Sequence, residues 1–161
     1  MLSLRKPTVE TIRRFLAAQA KLPFTYSAVG ATAGTPAADF IVDHTRIKLG
    51  EGEPVFRSAR AALQRWEQFR LGWVEASPTD TPLQSGNVVA VQGRALGLWC
   101  LNACRIVYVV DESGPISKFG FAYGTLPGHV EKLTPWRRDF CRDTWRRQRR
   151  RCSRRGGGWT R

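Results

Sequence analysis

The sequence predicts an α+β domain built on a curved antiparallel sheet. Three observations carry that reading. First, residues 88–126 hold successive strand-like runs: Val88-Val-Ala-Val, Leu98-Trp-Cys-Leu, Arg105-Ile-Val-Tyr-Val-Val110 and Phe119-Gly-Phe-Ala-Tyr-Gly-Thr125. Their Ile, Val and aromatic side chains suit a pleated, half-buried surface, and Glu112-Ser-Gly-Pro-Ile-Ser117 between the last two has the residues of a turn. Second, two amphipathic helical stripes precede them. Third, charge is split along the chain. Of the net +13, residues 132–161 hold 12 Lys and Arg against 2 Asp and Glu, which leaves 14 against 11 before them. The chain therefore reads as a nearly neutral body, 1–131, and a basic tail, 132–161.

The first helix is expected over 8–21. Pro7 and Thr8 suit a helix start, and Val9, Ile12, Leu16 and Ala20 form a stripe that Phe15 broadens. Pro23 stops it. Residues 22–38, with Gly30, Gly34 and Pro36, read as a surface connection. Residues 39–49 alternate as a strand would, with Ile41, Thr45, Ile47 and Leu49 on one face and His44, Arg46 and Lys48 on the other. A second helix is expected over 54–69. Pro54 opens it, Phe56, Ala59, Leu63 and Trp66 make its apolar stripe, and Arg57, Arg60, Gln64 and Glu67 decorate the outside. Leu71-Gly-Trp-Val-Glu75 is a short strand, and residues 77–86 a polar loop.

The returning strand has two unlike faces. Phe119, Phe121, Tyr123 and Thr125 share one, and Gly120, Ala122 and Gly124 the other. A nearly bare face implies that something lies close against it, a helix or a ligand. After Lys132 the text has no Ile or Val and one Leu. It cannot bury enough apolar surface to offset its ordering entropy, so disorder is expected there, with local helix near 136–150.

Four blocks are specific enough to carry a family resemblance: Asp43-His-Thr-Arg-Ile-Lys-Leu-Gly-Glu-Gly-Glu-Pro-Val-Phe56, Ala90-Val-Gln-Gly-Arg-Ala-Leu-Gly-Leu-Trp99, Asn102-Ala-Cys-Arg-Ile-Val-Tyr108 and Phe119-Gly-Phe-Ala-Tyr-Gly-Thr-Leu-Pro-Gly-His-Val-Glu131. Over about residues 5–131 the chain resembles the uncharacterised family DUF1990, also called UPF0548. The resemblance transfers no biochemical activity. It implies a helix-grip or START-like fold, in which a curved sheet wraps a long C-terminal helix around an apolar cavity. After Glu131 the family continues with two strands and that helix, whereas here the Arg-rich segment stands. The expectation is a family domain truncated at its C-terminus, and a frame change in the gene would account for the shift in composition.

Chemistry-bearing motifs are few. Glu51 and Glu53 would repel a phosphate from the start of the second helix, which argues against a nucleotide loop at Gly50-Glu-Gly52 and for acidic complements to the helix dipole. Cys100 and Cys104 lack Cys-x-x-Cys spacing, and Cys141 and Cys152 fit no zinc knuckle, so no metal and no cofactor are expected. Neither His44 nor His129 belongs to a recognisable nucleophile or metal motif. An enzyme using His44 or Arg46 at a cavity mouth ranks below a non-catalytic role. Trp73, Trp99, Tyr108 and Tyr123 could together line an apolar cavity, with His44, Arg46 and His129 at its rim, which points to a small apolar ligand. The alternative partner is nucleic acid, through Arg146, Arg147, Arg149, Arg150 and Arg151 interleaved with tryptophans. No apolar run is long enough to span a bilayer, and the first residues lack a hydrophobic signal core, so the cytoplasm is the expected compartment.

Overall fold

A computed structural model describes residues 1–34 and 45–128. Its centre is an antiparallel sheet of five strands: β1 (Leu2–Ser3), β2 (Val74–Ser77), β3 (Val88–Ala95), β4 (Leu98–Glu112) and β5 (Lys118–Thr125). The 15-residue β4 is the spine. It pairs along one edge with β3, while β1 and β5 lie end to end along the other, and β2 extends the sheet beyond β3. The two runs expected at 98–101 and 105–110 are thus one continuous strand.

Helix α1 (Val9–Gln19) and helix α2 (Glu53–Gln64) cover opposite faces of this sheet. The alternation of side chains along each strand requires two cores. Phe56, Leu63 and Trp66 pack with Val89, Cys104, Ile106, Phe119, Phe121 and Tyr123. Ile12 and Leu16 pack with Ala90, Leu101, Ala103 and Leu126. The centre of each helical stripe read from the sequence is buried, Ile12 and Leu16 in α1 and Phe56 and Leu63 in α2, whereas Val9 and Ala20, at the two ends of the first stripe, are exposed. Thr8 caps α1 by accepting from the Thr11 amide, and Arg105 on β4 donates to the carbonyls of Ala20 and Leu22, both at 2.8 Å, just past its end.

Three local outcomes differ from the sequence reading. Helix α2 stops at Gln64, because Trp66 takes a left-handed conformation (φ 58°) and turns its indole into the core, and only a 3-10 turn, Glu67–Phe69, follows. Residues 45–50 form no regular secondary structure. Alternation over 45–49 supplies no neighbouring backbone, and a strand needs one for its N–H and C=O groups. Residues 39–44 lie outside the described part. So does the whole of 132–161, with the expected tail and its local helix.

The third outcome is the cover on the bare face of β5. Residues 22–34 are no plain surface connection. They lie on the Gly124 side of the sheet: a Cβ built on Gly124 would collide with Tyr26 Oη and lie 2.9 Å from Phe24 Cδ1. Thr25 meets Thr125 through their hydroxyls at 3.2 Å, and Thr32 meets Tyr108 Oη at 2.7 Å. The close approach inferred from the glycine pattern is present at Gly124, and the element that makes it is a loop.

Candidate functional site

An open groove of about 420 Å³ lies beside α2, where β4 and β5 meet the segment before β3. Leu83, Val109 and Phe119 supply its apolar surface, with Pro82; Gln64, Asp80, Gln84 and Asp111 supply the polar groups. Each wall has a traceable cause. Trp66 Nε1 donates to the Thr81 carbonyl at 2.9 Å, which ties the 78–84 segment to the end of α2. Asn87 Nδ2 donates to the Pro82 carbonyl at 2.9 Å, and Ser85 Oγ to the Val107 carbonyl at 2.7 Å, which fix the far end of that segment on β4. Val109 and Phe119 reach the groove from the α2 face of the sheet.

Arg60 holds two of the lining residues, Asp111 and Phe119. Its guanidinium donates to Asp111 Oδ2 at 2.6 Å and lies 4.7 Å from the centre of the Phe119 ring. The arginine read as decoration on the outside of α2 therefore bridges helix and sheet, stacking on an aromatic while neutralising a carboxylate. Near the start of α2, Lys48 pairs with Glu51 and holds its carboxyl below the usual range.

The aromatic residues singled out in the sequence are not brought together. Tyr123 is buried on the α2 face against Phe69 and Phe121. Tyr108 lies on the opposite face. The ladder slips between Ile106 and Tyr108, so that Ile106 pairs with Tyr123 but Tyr108 with Ala122. One extra residue, Val107, reverses the alternation. Trp99 is half-buried on the α1 side, with Lys6 Nζ 5.4 Å from its ring. Lys6 also pairs with Glu75, whose Oε1 accepts from the buried Gln92 amide at 2.8 Å. Trp73 is exposed just before β2, and Arg46 is exposed in the irregular stretch 45–50. His44, His129, Arg146, Arg147, Arg149, Arg150 and Arg151 lie outside the described residues.

Sequence reasoning missed the groove residues Leu83, Val109, Phe119 and Asp111 as a set. Val109 and Phe119 were legible as strand residues. Leu83 was hidden in a polar loop, where a lone leucine between Pro82 and Gln84 was the only signal. Among the described residues no group of His, Cys, Asp and Glu could hold a metal ion, and no helix is long and apolar enough to cross a membrane.

Comparison with known proteins gives the chain its relatives. The model of a family described as a domain of unknown function, DUF1990, matches residues 25–132, about two thirds of the chain. A UPF0548 protein of Dictyostelium discoideum is 34% identical over 157 residues, an alignment covering 86% of this chain and 72% of the relative. A UPF0548 protein of Deinococcus radiodurans is 34% identical over 145 residues, covering 81% and 70%. One from Arabidopsis thaliana is 32% identical over 96 residues, covering 56% of this chain and 45% of its own length. No solved structure matches the chain. With the family model spanning two thirds of its residues and two relatives aligned over most of its length, the chain belongs to the DUF1990, or UPF0548, family.

Proposed function

We propose that this protein is a non-catalytic, START-like module that holds a small apolar molecule, and that the groove beside α2 is where it does so. The observation that carries the reading is the groove itself. Its volume of about 420 Å³ falls in the range that takes small ligands, roughly 300–1,000 Å³. Its apolar side chains, Pro82, Leu83, Val109 and Phe119, come from three separate segments and are matched by four polar ones, Gln64, Asp80, Gln84 and Asp111, so it suits a small apolar molecule with a polar end. Burial of the ligand's apolar surface would supply the binding energy, and Asp80, Gln84 and Gln64 would orient any polar end. Asp111, already neutralised by Arg60, serves to hold the wall. The packing of helices on an antiparallel sheet supports the START-like comparison, in which ligands sit between sheet and helix.

The test is a fluorescence titration with N-phenyl-1-naphthylamine, a neutral apolar dye. The wild-type chain should bind it saturably and with little dependence on salt. Leu83→Trp, which fills the groove from a loop position, should weaken binding about tenfold or more while the far-UV circular dichroism stays unchanged. Absence of saturable binding to the wild type, or equal binding to a folded Leu83→Trp, would sink the reading.

A further inference from the structure

The end of the sheet formed by the β3–β4 hairpin combines three features that packing within the chain leaves unexplained. The turn is two residues long, since Ala95 pairs with Leu98 across it. Both central residues have positive φ, Leu96 at 51° and Gly97 at 79°. Such a turn favours Asn, Asp or Gly at its first position, because a Cβ there crowds the backbone. A leucine is strained at that place, and this one packs against nothing: it is 102% exposed.

Exposed apolar residues gather around it. Leu98 follows the turn, and Leu4 follows Ser3, which pairs with Trp99. Trp73 is 61% exposed, and its carbonyl accepts from the Arg94 amide at 2.8 Å, which fixes it beside the same end of β3. The charge there has one dominant sign. Segments 1–6, 70–73 and 94–98 contain Arg5, Lys6, Arg70 and Arg94 and no Asp or Glu. Lys6 and Arg70 are paired with Glu75 and Glu67 from neighbouring segments, which leaves Arg5 and Arg94 outside any ion pair among the described residues.

From this geometry we infer that the β3–β4 hairpin end is a membrane-docking tip, which inserts Leu96 into the surface of an anionic lipid bilayer. The shape decides the kind of partner. A protein interface would present its anchor within a flat, packed patch, whereas a single leucine on the outermost turn is a wedge suited to a soft apolar layer. Leu4 and Leu98 would follow it to the acyl boundary, and Trp73 would sit at headgroup depth, where its amphipathic ring is favoured. Arg5 and Arg94 would meet the lipid phosphates, their stems lying along the apolar surface. The strain at Leu96 is then a cost in the free protein that docking offsets.

Vesicle co-sedimentation of the full chain tests this, with phosphatidylcholine vesicles containing about 30 mol% phosphatidylserine. The Arg-rich 132–161 segment will attract such vesicles by charge alone, so the decisive measurement is made at about 0.5 M salt, where exposed charges are screened beyond a few ångströms. Wild type should stay bound there. Leu96→Asp should bind about tenfold more weakly or worse, since one leucine's burial is lost and a charge gained. Ile116→Asp, the same change at the opposite end of the sheet, should bind as wild type. Leu96→Asn should raise the melting temperature by about 2–5 °C by relieving the turn, yet weaken vesicle binding. Opposite signs in one variant separate docking from a structural role. The inference is overturned if Leu96→Asp binds as wild type does, if Ile116→Asp loses as much, or if no variant is retained at the higher salt. It is overturned too if Leu96→Asp alters self-association in sedimentation velocity and leaves vesicle binding unchanged.

Discussion

Gly124 and Trp66 show how much one position can require of its residue type. Gly124 has an ordinary backbone conformation, so its requirement is space: Tyr26 and Phe24 occupy the volume of its missing side chain. Gly124→Val should destabilise by about 1–3 kcal/mol through overpacking, read as a lower urea midpoint with unchanged slope. An unchanged midpoint would mean that residues 24–26 move away without cost. Trp66 is the reverse case. It occupies a left-handed position just after α2 where glycine is the usual choice, yet it is only 1% exposed and makes an edge contact with Phe121 at 5.1 Å. The core holds a conformation that the backbone disfavours. Trp66→Ala should cost about 3–5 kcal/mol in chemical denaturation, because packing and the hydrogen bond to Thr81 go together. Because that bond anchors a groove wall, the variant should also weaken dye binding under conditions where it remains folded.

At the scale of elements, α2 has two working faces. Leu63 lies in the core, and Leu63→Ala should cost about 2–5 kcal/mol. Arg60, on the flank, joins Asp111 and Phe119. Arg60→Ala should cost about 1 kcal/mol, more than a solvated helix arginine would, because a half-exposed ion pair and a ring contact are lost at once. A double-mutant cycle with Asp111→Ala checks this: a coupling energy indistinguishable from zero would return Arg60 to the solvated face that the sequence suggested. The sequence placed both residues on α2 and marked Leu63 as core. It could not show Arg60 reaching across to a strand 51 residues later.

For the whole molecule, β4 sets the order of stability. It is paired on one edge by β3 from Leu98 to Arg105, and on the other by β1 and β5. Native-state hydrogen exchange should therefore be slowest for the interior amides of β4 that are bonded to β3, near the global unfolding limit, because those bonds lie between the two cores. The two-residue β1 and the four-residue β2, at the margins, should exchange faster. Equal protection across the sheet would mean that its margins do not open independently of β4.

The alternating and helical patterns by themselves determined that two helices and an antiparallel sheet form, which stripes they bury, and that Gly124 needs a close neighbour. These are short-range properties, because a side chain's direction follows from its backbone period wherever that period is unbroken. Residues quoted from the chain alone were also sufficient to point to its family. What only the tertiary structure decided depends on partners distant in sequence. The slip at Val107 reversed the side of Tyr108 and separated it from Tyr123, because one inserted residue inverts every later side chain. The bare face of β5 received residues 24–26, some 100 positions earlier, as cover near Gly124. The groove drew Leu83, Val109 and Phe119 from three elements whose separate patterns contain no record of their meeting. Local sequence fixes which way a side chain faces, and the packing of whole elements fixes what it faces.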